Sequence, residues 1–266
     1  MKSDQKGREI PVGSRHYRAF VGPTENYDLV SAMQFNLLTA LQLREHHFLL
    51  DIGCGSLRGG RLFIPYLMPG HYFGVEPEGW LIEEGVNNEI GEDILRIRRP
   101  VFSHDGNFTL TLFNQKFDYI LAQSIFSHTS RRQIKRCLSE ARKVMKPASI
   151  FAATFVLGEK DYEGEDWVYP GCVTYTWEGM KGFVEEQGLI CKPLNWPHPN
   201  LQTWMVILTR ENEKNVFDFD DVVKMSNLRD ELSFCKERLS RFEGSLYVKL
   251  GLKIFRLIQR MKWHRR

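Results

Sequence analysis

His47-Phe48-Leu49-Leu50-Asp51-Ile52-Gly53-Cys54-Gly55 is the stretch from which the fold can be read. An apolar run of strand length enters a glycine turn, and a helix is expected from near Arg58, so that backbone can approach a ligand closely at a helix N-terminus. A G-x-G alone is weak evidence. Asp51 strengthens it, because a dinucleotide-binding fingerprint runs straight from strand into glycines, and a carboxylate there would repel a pyrophosphate while attracting a positive group. Glu76 adds to it, 23 residues after Gly53. It stands at the end of the next expected strand, the position from which a carboxylate accepts both ribose hydroxyls.

Outward from this turn, apolar runs alternate with helix-period segments, the pattern of a parallel sheet covered by helices. Pro69-Gly70 stops the first helix. Strands are predicted at 71–75, near 101–103, at 117–122 and at 149–155, then at 188–191 and 203–208. Helices are predicted at 80–88, 131–145 and 175–187, with Lys146-Pro147 ending the second of these. Upstream, 27–43 carries a helical stripe that should pack beside the first strand. The fold class expected is a Rossmann-like three-layer α/β sandwich. Its sheet has seven mostly parallel strands with the last antiparallel, and a helical C-terminal tail follows. The expected divisions are an arm at 1–26, the main domain at 27–211 and a basic tail at 212–266.

With these motifs the chain resembles the class I S-adenosylmethionine-dependent methyltransferases over roughly Tyr27 to Arg210. The likeness includes Val75-Glu76-Pro77, the run Phe117 to Ser124, and Val144-Met145-Lys146-Pro147. More narrowly, Gly53 to Gly60 and Ser127-His128 resemble methyltransferases encoded beside bacterial surface-polysaccharide genes. One position departs from the pattern: a third glycine usually follows two residues after the second, and here that residue is Leu57. The resemblance implies S-adenosylmethionine as cofactor, its methionine end at Asp51, Gly53, Cys54 and Gly55, and its ribose at Glu76. It further implies Ser56 and Arg58 facing the cofactor, Pro77 against adenine, Asp105 accepting from the adenine amino group, and Gln123 beside the methionine carboxylate. Asp105-Gly106 also reads as a plain turn, and Asp118 as structural.

Methyl transfer is an in-line displacement at an activated carbon, so the protein chiefly positions and desolvates the acceptor. A hydroxyl acceptor gains from a base with a pKa near 7. His128, just beyond the fourth strand, is the first candidate, and the alternative is that it caps the helix starting near Ser130. His198, between Pro197 and Pro199, is a second. The acidic, aromatic segment 158–175 has the length of a substrate lid, and rings beside carboxylates suit a sugar. No spaced ligand set supports a metal.

Composition narrows the classes. The 266 residues are 42% apolar and 26% charged, as in a folded globular chain. The start is polar, without a signal-peptide core, and no apolar run reaches the length of a membrane span. Five scattered cysteines without a C-x-x-C pair fit a reducing cytoplasm. The net charge of +3 belongs to the tail: 244–266 holds seven basic and no acidic residues, leaving 29 basic against 33 acidic elsewhere. No nucleic-acid partner is therefore expected. Met225, Leu228, Leu232, Cys235, Leu239, Phe242 and Leu246 form an a/d stripe that suits helix pairing, hence a homodimer through 225–246. Basic and apolar faces over 244–266 suit peripheral contact with anionic lipid. The leading expectation is O-methylation of a sugar or glycan precursor, a small-molecule or glycan acceptor. A non-catalytic cofactor-binding module and an NAD(P)-dependent oxidoreductase are the alternatives.

Overall fold

The computed structural model describes residues 10–215. The a/d stripe at 225–246 and the basic segment at 244–266 lie outside the described residues. Within them the elements run α1 (Tyr27–Ala40), β1 (Leu49–Ile52), α2 (Gly60–Tyr66), β2 (Tyr72–Val75), α3 (Gly79–Gly85), α4 (Glu92–Arg98) and β3 (Val101–Ser103). There follow β4 (Phe117–Ala122), α5 (Arg131–Val144), β5 (Met145–Leu157), β6 (Thr174–Tyr175), α6 (Trp177–Glu186), β7 (Leu189–Leu194) and β8 (Thr203–Thr209). Among the described residues no helix is long and apolar enough to cross a membrane.

The sheet has the order β3-β2-β1-β4-β5-β8-β7. It is parallel from β3 through β5, while β8 runs antiparallel to both β5 and β7. The two-residue β6 pairs with the end of β5 outside this path. Every residue of β1 and β2 is buried, as both-face covering by helices requires of parallel strands. Alternation divides them between two layers. Leu50, Ile52, Phe73, Val75 and Ile120 join Ile134, Leu138, Phe183 and Val184 of α5 and α6 in one core. Asp51, Tyr72 and Tyr119 point the other way, and the Tyr119 hydroxyl donates to Leu41 O beyond the end of α1. Chain order reverses between β1 and β4, and in such sheets ligands bind outside the carboxyl ends of the strands at that switch point.

Several boundaries differ from expectation for local reasons. β5 begins at Met145, so Lys146-Pro147 lies inside a strand. The pairing shifts there from Phe117↔Met145 to Tyr119↔Ile150, and a bulge is where a proline without a ladder donor is tolerated. Lys146 Nζ bonds Asp118 at 2.7 and 2.8 Å, while Asp118 Oδ2 accepts from Phe48 N at 2.8 Å, a structural use of that carboxylate. The unexpected α4 is only seven residues long and buries none of them.

Ser130 caps α5. Its hydroxyl accepts from Gln133 N at 3.4 Å, and the Gln133 side chain accepts from Ser130 N at 2.9 Å, a reciprocal capping box. Ser130→Ala should lower the unfolding free energy by about 1 kcal/mol in denaturant titration; an unchanged midpoint would show that the cap contributes nothing.

Candidate ligand-binding and active site

The turn after β1 depends on two left-handed glycines, Gly53 at φ +71° and Gly55 at +56°. A Cβ on Gly53 would fall inside the Ile125 side chain, and one on Gly55 would come 2.7 Å from Val21 Cγ1. Both positions therefore need glycine for backbone shape and for space. Leu57, where the resemblance leads to a glycine, keeps the left-handed conformation at φ +58° and is fully buried. The backbone path of the loop survives without the glycine, at a cost of about 1–2 kcal/mol.

Beneath this turn lies a pocket of about 270 Å³. Asp51, Gly53, Cys54, Gly55 and Gln123 line it, as does Arg58. Val21, Gln34 and Gly59 complete the wall. Asp51 Oδ2 accepts from the Tyr72 hydroxyl at 2.7 Å, and burial raises its pKa to about 6. The Arg58 guanidinium donates to Val21 O and to Gln123 Oε1, each at 2.6 Å. Its buried Nε has no partner among the described residues, and burial lowers the Arg58 pKa to about 10. Gln123 Oε1 also accepts from Gln34 Nε2 at 3.1 Å. The pocket thus presents an anionic and a cationic group whose hydrogen bonds go to neutral partners.

Ser56 does not join them. Fully buried, it turns its hydroxyl toward Tyr27, with the two oxygens 3.2 Å apart. Its place is in the packing of the loop on α1, contrary to the expectation that it faces the ligand. Gln34 and Val21 were not anticipated. Gln34 left a signal, a polar side chain on the buried stripe of α1 beside Val30, Met33 and Leu37; Val21 left none.

Glu76 stands at the edge of this pocket, where its two oxygens accept from Gly55 N at 3.0 Å and Glu78 N at 2.9 Å. Burial raises its pKa to about 6. Pro77 is exposed beside it, 3.7 Å from where a Cβ on Gly106 would stand. Asp105 Oδ2 accepts from Asn107 N and Thr109 N at 2.9 and 2.7 Å. That oxygen shapes the loop, and Oδ1 takes no part in those bonds. Glu76, Pro77 and the Asp105 loop form an outer shelf next to the inner pocket.

Beyond β4, Ser124 is held at φ +59°, its N–H donating to Thr154 Oγ1 at 2.7 Å. His128 follows in the same loop. Its Nδ1 lies 3.0 Å from Val168 O and 2.7 Å from Gly171 O. Both are acceptors, so Nδ1 carries the proton and Nε2 keeps its lone pair. The ring packs against Trp167 and Tyr169, and burial lowers its pKa. With Ser130 in the cap, the capping role considered for His128 is filled by another residue. His198 is differently placed. Asn200 N donates to its Nδ1 at 3.1 Å, its Nε2 lies 3.0 Å from Gln123 Nε2, and burial with the nearby Arg58 lowers its pKa to about 4. Its one lone pair, at Nδ1, is taken by Asn200 N, which makes it the weaker candidate for a base.

No protein-family model matches the sequence, and no curated protein matches it. Solved structures do resemble the fold. The magnesium protoporphyrin IX methyltransferase ChlM of Synechocystis PCC 6803 with bound SAH superposes with a TM-score of 0.51 at 11% identity, over 73% of this chain and 92% of that one. Streptomyces venezuelae DesVI gives 0.52 at 12%, over 71% and 94%. The mitomycin 7-O-methyltransferase MmcR gives 0.52 at 16%, over 73% of this chain and 56% of that one. What these proteins share with the chain is architecture, the Rossmann-like α/β fold of S-adenosylmethionine-dependent methyltransferases.

The buried Asp51 makes a pH prediction. A carboxyl whose folded pKa is raised favours folding while protonated. That contribution is complete at low pH and is lost as pH rises through about 6. Asp51→Asn keeps an acceptor for Tyr72 without the charge. It should stabilise the ligand-free chain by about 1–3 kcal/mol at pH 7.5 and by only about half as much at pH 5, which lies between the ordinary carboxyl pKa and the raised one. A thermal melt showing the same difference at both pH values would contradict this account of the buried charge.

Proposed function

We propose that the chain is an S-adenosylmethionine-dependent methyltransferase that transfers a methyl group to a hydroxyl of a small-molecule or glycan acceptor. The observation that carries the cofactor is the inner pocket, where Asp51 and Arg58 offer opposite charges at the switch point of the sheet. An α-amino acid zwitterion complements that pair, with its ammonium toward Asp51 and its carboxylate toward Arg58. Glu76 on the outer shelf suits the ribose, exchanging bonds from backbone N–H groups for hydroxyls. Pro77 and the Asp105 loop suit the base. A pyrophosphate would bring its charge against Asp51, which argues against a dinucleotide.

S-adenosylmethionine, when bound, supplies a methyl group on a sulfonium already activated for displacement. The chain's work is to hold, orient and dehydrate. His128 takes the proton of the acceptor hydroxyl at Nε2, since the two carbonyls at Nδ1 fix the ring and its tautomer. Trp167 and Tyr169 beside it provide flat faces, and the acidic loop around them provides acceptors, the combination that suits a sugar or glycan precursor.

Calorimetry on the full-length chain tests the cofactor. S-adenosylhomocysteine should bind and NADPH should not, and Glu76→Ala should weaken S-adenosylhomocysteine by about 1.5–3 kcal/mol. Binding of NADPH alone would replace this reading with an oxidoreductase. For the base, His128→Ala should reduce methyl transfer from labelled S-adenosylmethionine to extracted glycan precursors by roughly 10² to 10⁴ while S-adenosylhomocysteine still binds. Near-normal turnover would leave His128 as an anchor for the loop at 168–171.

A further inference from the structure

Residues 13–22 cross the site as a strap. Gly13 N donates to Ala19 O and Phe20 N to His16 O, which gives the strap local shape. It is tied to the rest of the molecule at several points: the Tyr17 hydroxyl donates to Glu89, Arg15 lies over Trp80 and Arg18 over Tyr27. Arg18 pairs with Glu89 at 2.6 Å. The Phe20 ring lies between Trp80 and Tyr169, at centroid distances of 5.2 and 5.3 Å, and the Tyr169 hydroxyl donates to Phe20 O. Arg58 Nη1 donates to Val21 O at 2.6 Å, and the Val21 side chain rests on Gly55.

The strap therefore forms a wall of the pocket over the glycine turn. The Val21 side chain covers Gly55, where the glycine turn would otherwise offer its backbone to a ligand, so an amino-acid end approaching that backbone needs Val21 to move. The group that holds Val21 in place also faces the pocket. Arg58 spends one donor on a neutral carbonyl and one on a neutral amide, and its buried Nε has no partner among the described residues. A guanidinium prefers a carboxylate to a carbonyl, because the opposite charge adds Coulomb attraction and the two oxygens match its planar fork bidentately.

We propose that residues 13–22 are a gate latched by Arg58, which holds the Val21 carbonyl in the free chain and releases it for the carboxylate of the entering ligand's amino-acid end. The proposal rests on the cofactor reading above and adds to it how the pocket opens. Tyr169 is the second latch, tying the gate to the loop that carries Trp167 and holds His128. Entry of cofactor and arrangement of the acceptor side are thus linked through Phe20.

Two probes separate latch from ligand contact: S-adenosylhomocysteine, which has the amino-acid end, and 5′-methylthioadenosine, which lacks it. In the full-length chain, Arg58→Gln should weaken S-adenosylhomocysteine roughly 10- to 100-fold. The same change should tighten 5′-methylthioadenosine, since no latch then opposes it, and should speed amide exchange of residues 13–22 in the free chain. Tyr169→Phe, which keeps Arg58, should accelerate association of both probes in stopped flow. Equal weakening of both probes in Arg58→Gln, or strap exchange identical to wild type in both variants, would overturn the gate while leaving the cofactor reading intact. Failure of the wild type to bind either probe would overturn both.

Discussion

The molecule is organised around two buried charges that are not spent on each other. Asp51 bonds Tyr72 and Arg58 bonds Val21 O and Gln123, and both face the same pocket. Burying a charge against neutral partners is unfavourable, visible here in an acid raised to about pH 6 and a guanidinium lowered to about 10. Such an arrangement persists when a ligand of matching charges offsets it, and sites built for ligands are commonly destabilising in their absence. The remaining features of the edge follow from this constraint. Gln34 and Gln123 supply dipoles where charged partners would close the pocket, the glycines bring backbone close, and Val21 of the strap completes the wall.

The acceptor side is assembled by backbone. Val168 N donates to His128 O at 2.8 Å, and His128 Nδ1–H donates in turn to Val168 O and Gly171 O. The imidazole and the loop hold each other, and the aromatic contacts Trp80–Phe20–Tyr169–His128–Trp167 run continuously across the edge. Two side chains, Phe20 and Tyr169, thus stand in contact between the strap and the ring of His128.

Much of this was legible in the sequence because it depends on local chemistry. A buried parallel strand entering Gly53 and Gly55, an acid inside that strand and another at the end of the next are each fixed by a few neighbouring residues. The strand sequence also located β4 and the loop carrying His128. Long-range geometry was not legible. Val21 reaches Gly55 across 34 residues, which no periodicity records. Ser56 differs from Cys54 only in which way the loop turns, and Leu57 shows that a left-handed position can hold a large side chain when burial compensates. The tautomer of His128 depended on two carbonyls some 40 residues away. The start of β5 was hidden because Lys146-Pro147 ends a helix in most contexts and here enters a bulge.

The central claim is that Asp51 and Arg58 together bind an amino-acid zwitterion. A crystal structure of the full-length chain with S-adenosylhomocysteine tests it most directly. The account predicts the ligand's ammonium at Asp51, its carboxylate on the Arg58 guanidinium, and Val21 O released from that guanidinium. Density placing the amino-acid end away from both residues, with the Arg58–Val21 bond unchanged, would contradict it.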